Sequence, residues 1–459
     1  MAATSNRGEG SSSIATAFAS LSAADSTLPP RFVDLKRNLI KGHEEAVLAG
    51  WNRLLQRRLA SDRLDKIDSS AIPEVEFATI LQNGGRLPKD VEQELRKCGT
   101  IIVRGLVDEN QALAWKQQIR DYVQANPQTK GFPAGNLQVY ELYWSKAQLE
   151  ARSHANMLLT QIALNRVWAA KPQDPVDLEV PLTYCDRLRM RTPGDKSFNL
   201  GPHLDGGSLE RWEDTEYVKC YSNILRGDWE NHDPFDVTHR LKAIVDMYKG
   251  PGGCSVFRSY QGWLSLSDCV AGSGTLRVMP DLTASTAYTV LRPFVKPDTN
   301  GTDWTIDLDS PTFHGAAMGK GQELTATDHP HLNPHGFVSI PRVRPGDAVF
   351  WHCDVAHMVE AEHRGNSDSS VLYIPSVPLC EVNSKYVKNQ RDIFLQGLPP
   401  LDFPGGVGES QHVQRGGSED ISPGAGRRAM GLERFEPGSQ ATVGQGEAVQ
   451  TANAILGFE

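Results

Sequence analysis

Leu200-Gly-Pro-His-Leu-Asp-Gly-Gly-Ser208, taken with Pro345-Gly-Asp-Ala-Val-Phe-Trp-His-Cys-Asp-Val-Ala-His357, decides how this chain is read. On an extended strand residues i and i+2 face one side, so His203 and Asp205 present an imidazole and a carboxylate together. Iron(II) has six coordination positions, and two His plus one carboxylate fill one face while leaving three open for co-substrate and oxygen. The third donor must come from another strand, and His352 and His357 both stand ready in the second run. His-x-Asp alone is a weak signal in a chain with 13 His and 56 acidic residues. The combination of the two runs makes a non-haem iron oxygenase the leading reading.

The 459 residues, 39% of them hydrophobic, suffice for a substantial globular core. A formal net charge of -9 argues against a nucleic-acid surface, since phosphate recognition needs concentrated Lys and Arg. Seven cysteines (Cys98, Cys185, Cys220, Cys254, Cys269, Cys353 and Cys380) form no C-x-x-C pair, which suits neither a disulfide framework nor a zinc knuckle. They read as buried free thiols. The first thirty residues lack the apolar run of a secretory signal, and no segment reaches the length of a membrane span. A cytoplasmic protein with a small-molecule substrate, and with neither nucleic acid nor membrane as partner, is expected; the oligomeric state is left open.

Residues 1–28 are small, polar and Gly/Ser-rich and are expected to be disordered. From 29 to 180 the chain reads as mainly helical, packing on a core: Phe32, Leu35, Leu39, Trp51 and Leu54 recur at helical intervals. A helix is expected over 110–125 on Leu113, Trp115, Ile119 and Tyr122, after a buried strand in Gly99–Leu106. A further helix is expected over 145–170. In Thr183–Arg191 the residues Cys185, Arg187, Arg189 and Arg191 alternate with Asp186, Leu188 and Met190, as in a sided strand. From 181 to 400 the pattern is β-rich, with long insertions at 206–250 and 290–337 that would cover a site mouth. The tail, 401–459, is expected to be partly ordered.

The blocks Gly201-Pro-His-Leu-Asp-Gly-Gly-Ser208, Gln261-Gly-Trp-Leu-Ser265, Ser273-Gly-Thr-Leu-Arg-Val-Met-Pro280 and Trp351-His-Cys-Asp-Val-Ala-His357 resemble iron(II)/2-oxoglutarate-dependent oxygenases related to phytanoyl-CoA dioxygenase. More closely, the chain is similar across about 180 to 400 to a fungal and bacterial subfamily known as a domain of unknown function. The resemblance implies an α+β fold, a double-stranded β-helix (jelly roll) with flanking α-helices and long insertions. It implies His203, Asp205 and His357 as the metal ligands, with His352 left inside the strand as the competitor. The implied reactants are Fe(II), 2-oxoglutarate and O2, with release of succinate and carbon dioxide as a small polar metabolite, such as an amino acid, is hydroxylated, desaturated or cyclised.

Such enzymes also need a cation for the distal carboxylate of 2-oxoglutarate, best supplied by a bidentate Arg. The family pattern places it at the start of the strand after the distal His, here Asp368-Ser-Ser-Val-Leu-Tyr-Ile-Pro375, where no Arg stands. Arg258, on an expected core strand where a buried cation needs an anionic partner, is the first choice and Arg364 the second, with Arg189 and Arg191 as outsiders. The missing Arg is also what favours the alternative, a cupin-like metal- or ligand-binding protein that has lost turnover. A zinc hydrolase on the same ligands is a third reading, disfavoured by the absence of a His-Glu-x-x-His motif.

Overall fold

The computed structural model describes residues 27–59, 68–250, 252–301, 303–332 and 336–458. In chain order its strands are β1 (Glu74–Glu76), β2 (Thr100–Arg104), β3 (Gly131–Phe132), β4 (Val139–Tyr140), β5 (Val176–Pro181), β6 (Leu188–Arg191), β7 (His203–Leu204), β8 (Tyr260–Ser265), β9 (Leu276–Val278), β10 (Val295–Pro297), β11 (Trp304–Ile306), β12 (Gln322–Glu323), β13 (Val338–Ser339), β14 (Ala348–His352), β15 (His357–Val359), β16 (Ser369–Tyr373) and β17 (Pro378–Cys380). A large sheet runs β1-β2-β14-β8-β16-β6-β4-β3 and a smaller one β12-β7-β15-β9-β13. β5 pairs with β17 and β10 with β11. The chain is thus a mixed α and β protein with several sheets.

Leu188, Trp263, Phe350 and Val371 of the large sheet share one hydrophobic cluster with Leu276, Val278 and Val338 of the smaller. Period-2 alternation sorts the smaller sheet's other side chains: Leu204 and Met358 pack instead in a second cluster, with Phe32, Trp51 and Tyr288. That cluster seats the helices Arg31–Leu39 and Glu44–Leu59 against the helix Leu282–Leu291. Gly262 is a packing requirement of the large sheet, because a Cβ there would lie 2.4 Å from the Phe350 ring on its paired strand.

The expected helix over 110–125 is Glu109–Ala125, its first turn capped by Asp108, whose carboxylate accepts the N–H groups of Asn110 and Gln111. Its buried face is Ala112, Trp115, Ile119 and Tyr122; Leu113 is 42% exposed. The expected single helix over 145–170 is two, Lys146–Ser153 and Ala155–Asn165. His154 between them is extended, and its ring accepts the N–H of Asn156, capping the second helix. The first 26 positions of the segment expected to be disordered lie outside the described residues, while Leu28 is packed in the second cluster. Beyond 400, Val449, Ala452 and Leu456 of the helix Val443–Leu456 pack with Tyr386 and Val387 in a third cluster. Among the described residues no helix is long and apolar enough to cross a membrane.

Candidate metal centre and its cavity

His203 and His357 are direct register partners on the antiparallel strands β7 and β15, so their side chains share a face, with ring centroids 4.3 Å apart. Asp205 follows β7 at the next same-side position. Its Oδ1 lies 3.7 Å from His203 Nε2 and its Oδ2 3.7 Å from His357 Nε2. These gaps are too long for hydrogen bonds, yet one donor atom from each of the three residues lies within 4.8 Å of the others. Backbone carbonyls fix the ring tautomers: His203 Nδ1–H donates to Gly201 O at 2.7 Å and His357 Nδ1–H to Val355 O at 3.0 Å. Each Nε2 is left with a free lone pair directed at the Asp205 carboxylate.

The electrostatics favour the ionised form of Asp205 and the uncharged form of His357. Burial alone would raise the Asp205 carboxyl, but His203, His357 and Arg258 outweigh it and hold it at about 2. Burial, helped by the neighbouring His203, pushes His357 down to about 3. Two imidazoles that turn Nε2 toward one carboxylate on a shared face are the donor types a divalent iron takes, so the residues fit the metal. Gly206 and Gly207, at φ +73° and +94°, then turn the chain sharply out of the site.

His352 is elsewhere. It is fully buried and stacked on Trp168 at 4.7 Å and 14°. Its Nδ1 accepts the Asp354 N–H at 3.0 Å and its Nε2–H donates to Pro234 O at 3.0 Å. Both ring nitrogens are spent on the backbone, so it is a core histidine.

The three donors form part of the wall of a cavity of about 210 Å³, together with Trp263, Trp351, Tyr373, Arg187, Arg189 and Arg258. Both expected insertions reach it, through Gly206, Val245 and Gly250 and through Gly319 and Lys320. Trp212 and Trp229, in contrast, are packing residues whose indole N–H groups donate to Val290 O and Gly50 O.

The arginines separate clearly. Arg364, the second choice in the sequence, has a side chain that is 76% exposed, pairs with Glu362 at 3.0 Å, and does not line the cavity. Arg191 is buried and fully engaged, donating to Asp195 and to the carbonyls of Gly274, Glu360 and Ala361. Arg258 is in the wall, its Nη2 3.5 Å from Asp205 Oδ2. Arg189, an outsider in the sequence, is 3% exposed and sits directly across from Val371 of β16. Its guanidinium lies over the Phe198 ring at 5.4 Å. Its Nε has no hydrogen-bond partner, and among the described residues no carboxylate pairs with it.

The model of the Gig2-like family matches residues 26–432. This chain belongs to that family. It is similar to GlcNAc Inducible Gene 2 of Candida albicans, whose crystal structure superposes with a TM-score of 0.86 at 36% identity, covering 95% of this chain and 96% of that one. The Escherichia coli (strain K12) protein YbiU is 31% identical over 390 residues, 82% of this chain and 89% of its own. The crystal structure of the hypothetical protein JW0805 from Escherichia coli gives a TM-score of 0.76 at 29% identity, covering 90% of this chain and all of that one.

In this Gig2-like chain the strands that carry the candidate donors are tied together by Arg211. Arg211, buried in the first insertion, donates to Asp205 O at 2.8 Å, to Asp354 Oδ1 at 3.1 Å and to Gln322 Oε1 at 3.1 Å. Asp354 lies in the turn between β14 and β15 and also accepts from Tyr221 and Arg240. Burial opposes its ionisation, but the guanidiniums, led by Arg240, hold it ionised far below the usual range. One cation therefore fixes the backbone at Asp205 and the turn leading to His357. Arg211 also donates to the hydroxyls of Tyr217 and Tyr221, but Gln322 and Asp354, which tie it to the other strands, lie more than a hundred residues away in sequence.

Proposed function

We propose that this protein is an iron(II)- and 2-oxoglutarate-dependent oxygenase that oxidises a small polar metabolite with release of succinate and carbon dioxide. Strands β6 to β9 and β13 to β16 would form the double-stranded β-helix, because they fall in the order large, small, large, small, small, large, small, large between the two sheets. The observation that carries the reading is the convergence of His203, Asp205 and His357 on the wall of one cavity, with both imidazole Nε2 lone pairs unengaged. Iron bound there would supply the coordination positions for 2-oxoglutarate and oxygen.

The chain's own work is orientation and exclusion of water. The backbone bonds at Nδ1 hold each imidazole to one tautomer, and Trp351, 5.3 Å from the His357 ring, packs beside it in the cavity wall. Arg189 is the better clamp for the distal carboxylate of 2-oxoglutarate. It is a buried guanidinium with unengaged donors, placed across from β16, the strand on which the resembling family carries its Arg. A buried cation without an anion is costly, and a bidentate carboxylate would relieve that cost. With the cation present on a neighbouring strand, no specific observation supports the binding-only alternative.

Anaerobic addition of iron(II) and 2-oxoglutarate should give a weak visible charge-transfer band. Absence of the band, together with no succinate formed in air, would sink the proposal. Arg189→Gln should raise the 2-oxoglutarate concentration for half-maximal band formation by about tenfold or more, the loss of a charge-assisted bidentate contact, while Arg364→Ala leaves it unchanged.

A further inference from the structure

Two guanidiniums in the cavity wall have donors to offer, and the co-substrate occupies one. Arg258 stands just before β8, and its side chain is only 12% exposed. It rests against Asp205 at 3.5 Å, longer than a normal hydrogen bond, and against the face of Tyr184 at 6.0 Å. The Tyr184 hydroxyl is turned away and donates to Asp402. The other carboxylates of the wall are engaged: Asp186 accepts from Arg187, Glu210 from the Ser208 N–H, and Asp246 from the Gly250 N–H. Asp205 is also the candidate metal donor, and a bound divalent cation would compete with Arg258 for its charge. Arg258 also borders a smaller adjoining cavity with Gly206, Tyr217 and Val245 of the first insertion. It therefore faces the side built by the insertions, whereas Arg189 lies across the sheet against Phe198.

We propose that the substrate carries a carboxylate or comparable planar oxyanion, and that Arg258 receives it beside Asp205. This rests on the oxygenase reading above, in which Arg189 takes the co-substrate. A planar fork with no hydrogen-bond partner of its own, in a site already holding the metal, selects for a planar anion by geometry as well as charge. A neutral ligand of equal shape would leave that buried cation with only the long contact to Asp205, a carboxylate it would share with the metal.

The test uses the full chain loaded anaerobically with iron(II) and saturating 2-oxoglutarate, read by the charge-transfer band. Proline, N-acetylglycine, lactate and benzoate are each added beside the corresponding primary amide. At least one acid should shift the band and its amide should not. Arg258→Gln should weaken that acid about tenfold or more while keeping 2-oxoglutarate affinity within about twofold, which also shows that the variant folds; Arg258→Lys should recover part of the loss. Amides acting as well as acids, no acid acting at all, or Arg258→Gln weakening 2-oxoglutarate in place of the acid would each overturn the inference. Failure of the wild-type protein to form any band with 2-oxoglutarate would instead overturn the oxygenase reading beneath it.

Discussion

At the residue scale the candidate centre depends on which histidine faces which neighbour. His352 and His357 are five positions apart, but one is stacked in a core with both nitrogens bonded to backbone and the other projects an unengaged Nε2 toward Asp205. His203→Ala and His357→Ala should therefore abolish iron(II) binding measured by metal analysis after desalting. His352→Ala should bind iron and lose about 2 kcal/mol or more of stability from its emptied core site. Arg211→Ala is expected to lower iron affinity about 10- to 100-fold, in the manner of other residues that orient metal ligands, by releasing Asp205 and the Asp354 turn together. His-x-Asp was legible because strand period alone places both groups on one side. Arg211 was not, because its distant acceptors, Gln322 and Asp354, are brought to it only by the fold.

At the scale of elements, the sided strand Thr183–Arg191 was read with its arginines on one face, and register then sorted them. Arg191 lies across from Ser369 and is consumed by Asp195 and by carbonyls, while Arg189 lies across from Val371 and is left over. The split of the expected 145–170 helix at His154 shows a capping interaction outweighing a continuous apolar pattern, because the ring satisfies an N–H that would otherwise be orphaned at the new start. The two insertions meet over the cavity at Gly250 and Gly319, where a Cβ on Gly250 would come 2.3 Å from Gly319 O. Gly250→Ala should force them apart. Limited proteolysis is expected to cut faster within 245–250 and 317–321, at little change in melting temperature; unchanged cleavage would mean the contact is dispensable.

At the scale of the whole molecule, the C-terminal segment closes back onto the helical region through Glu409. Its buried carboxylate accepts the N–H groups of Tyr143 and Trp144 and the hydroxyl of Tyr122. Burial outweighs these bonds and raises its pKa from 4.5 to about 7. In that interval the folded chain keeps a proton that the unfolded chain has lost. The contribution of Glu409 to stability is thus full below pH 4.5 and declines as pH rises through about 7. Melting temperature recorded from pH 5 to 8 should fall less in Glu409→Gln than in the wild type; an equal slope would exclude this group as the origin.

Local periodicity and residue chemistry were enough to read a first set of features. These are the His203 and Asp205 pair, the strand runs around β8, β14 and β16, the capped helix after Asp108, and the chain's lack of a basic surface excess. Long-range packing was needed to set His357 rather than His352 beside Asp205, to leave Arg189 without a carboxylate partner among the described residues, and to bring Arg211 between Asp205 and Asp354. The reason is physical: backbone period fixes the side a residue faces, but whether a charge is already neutralised depends on partners brought from distant parts of the chain. Arg189, Arg191 and Arg364 are alike as sequence symbols and differ only in what the fold sets beside them.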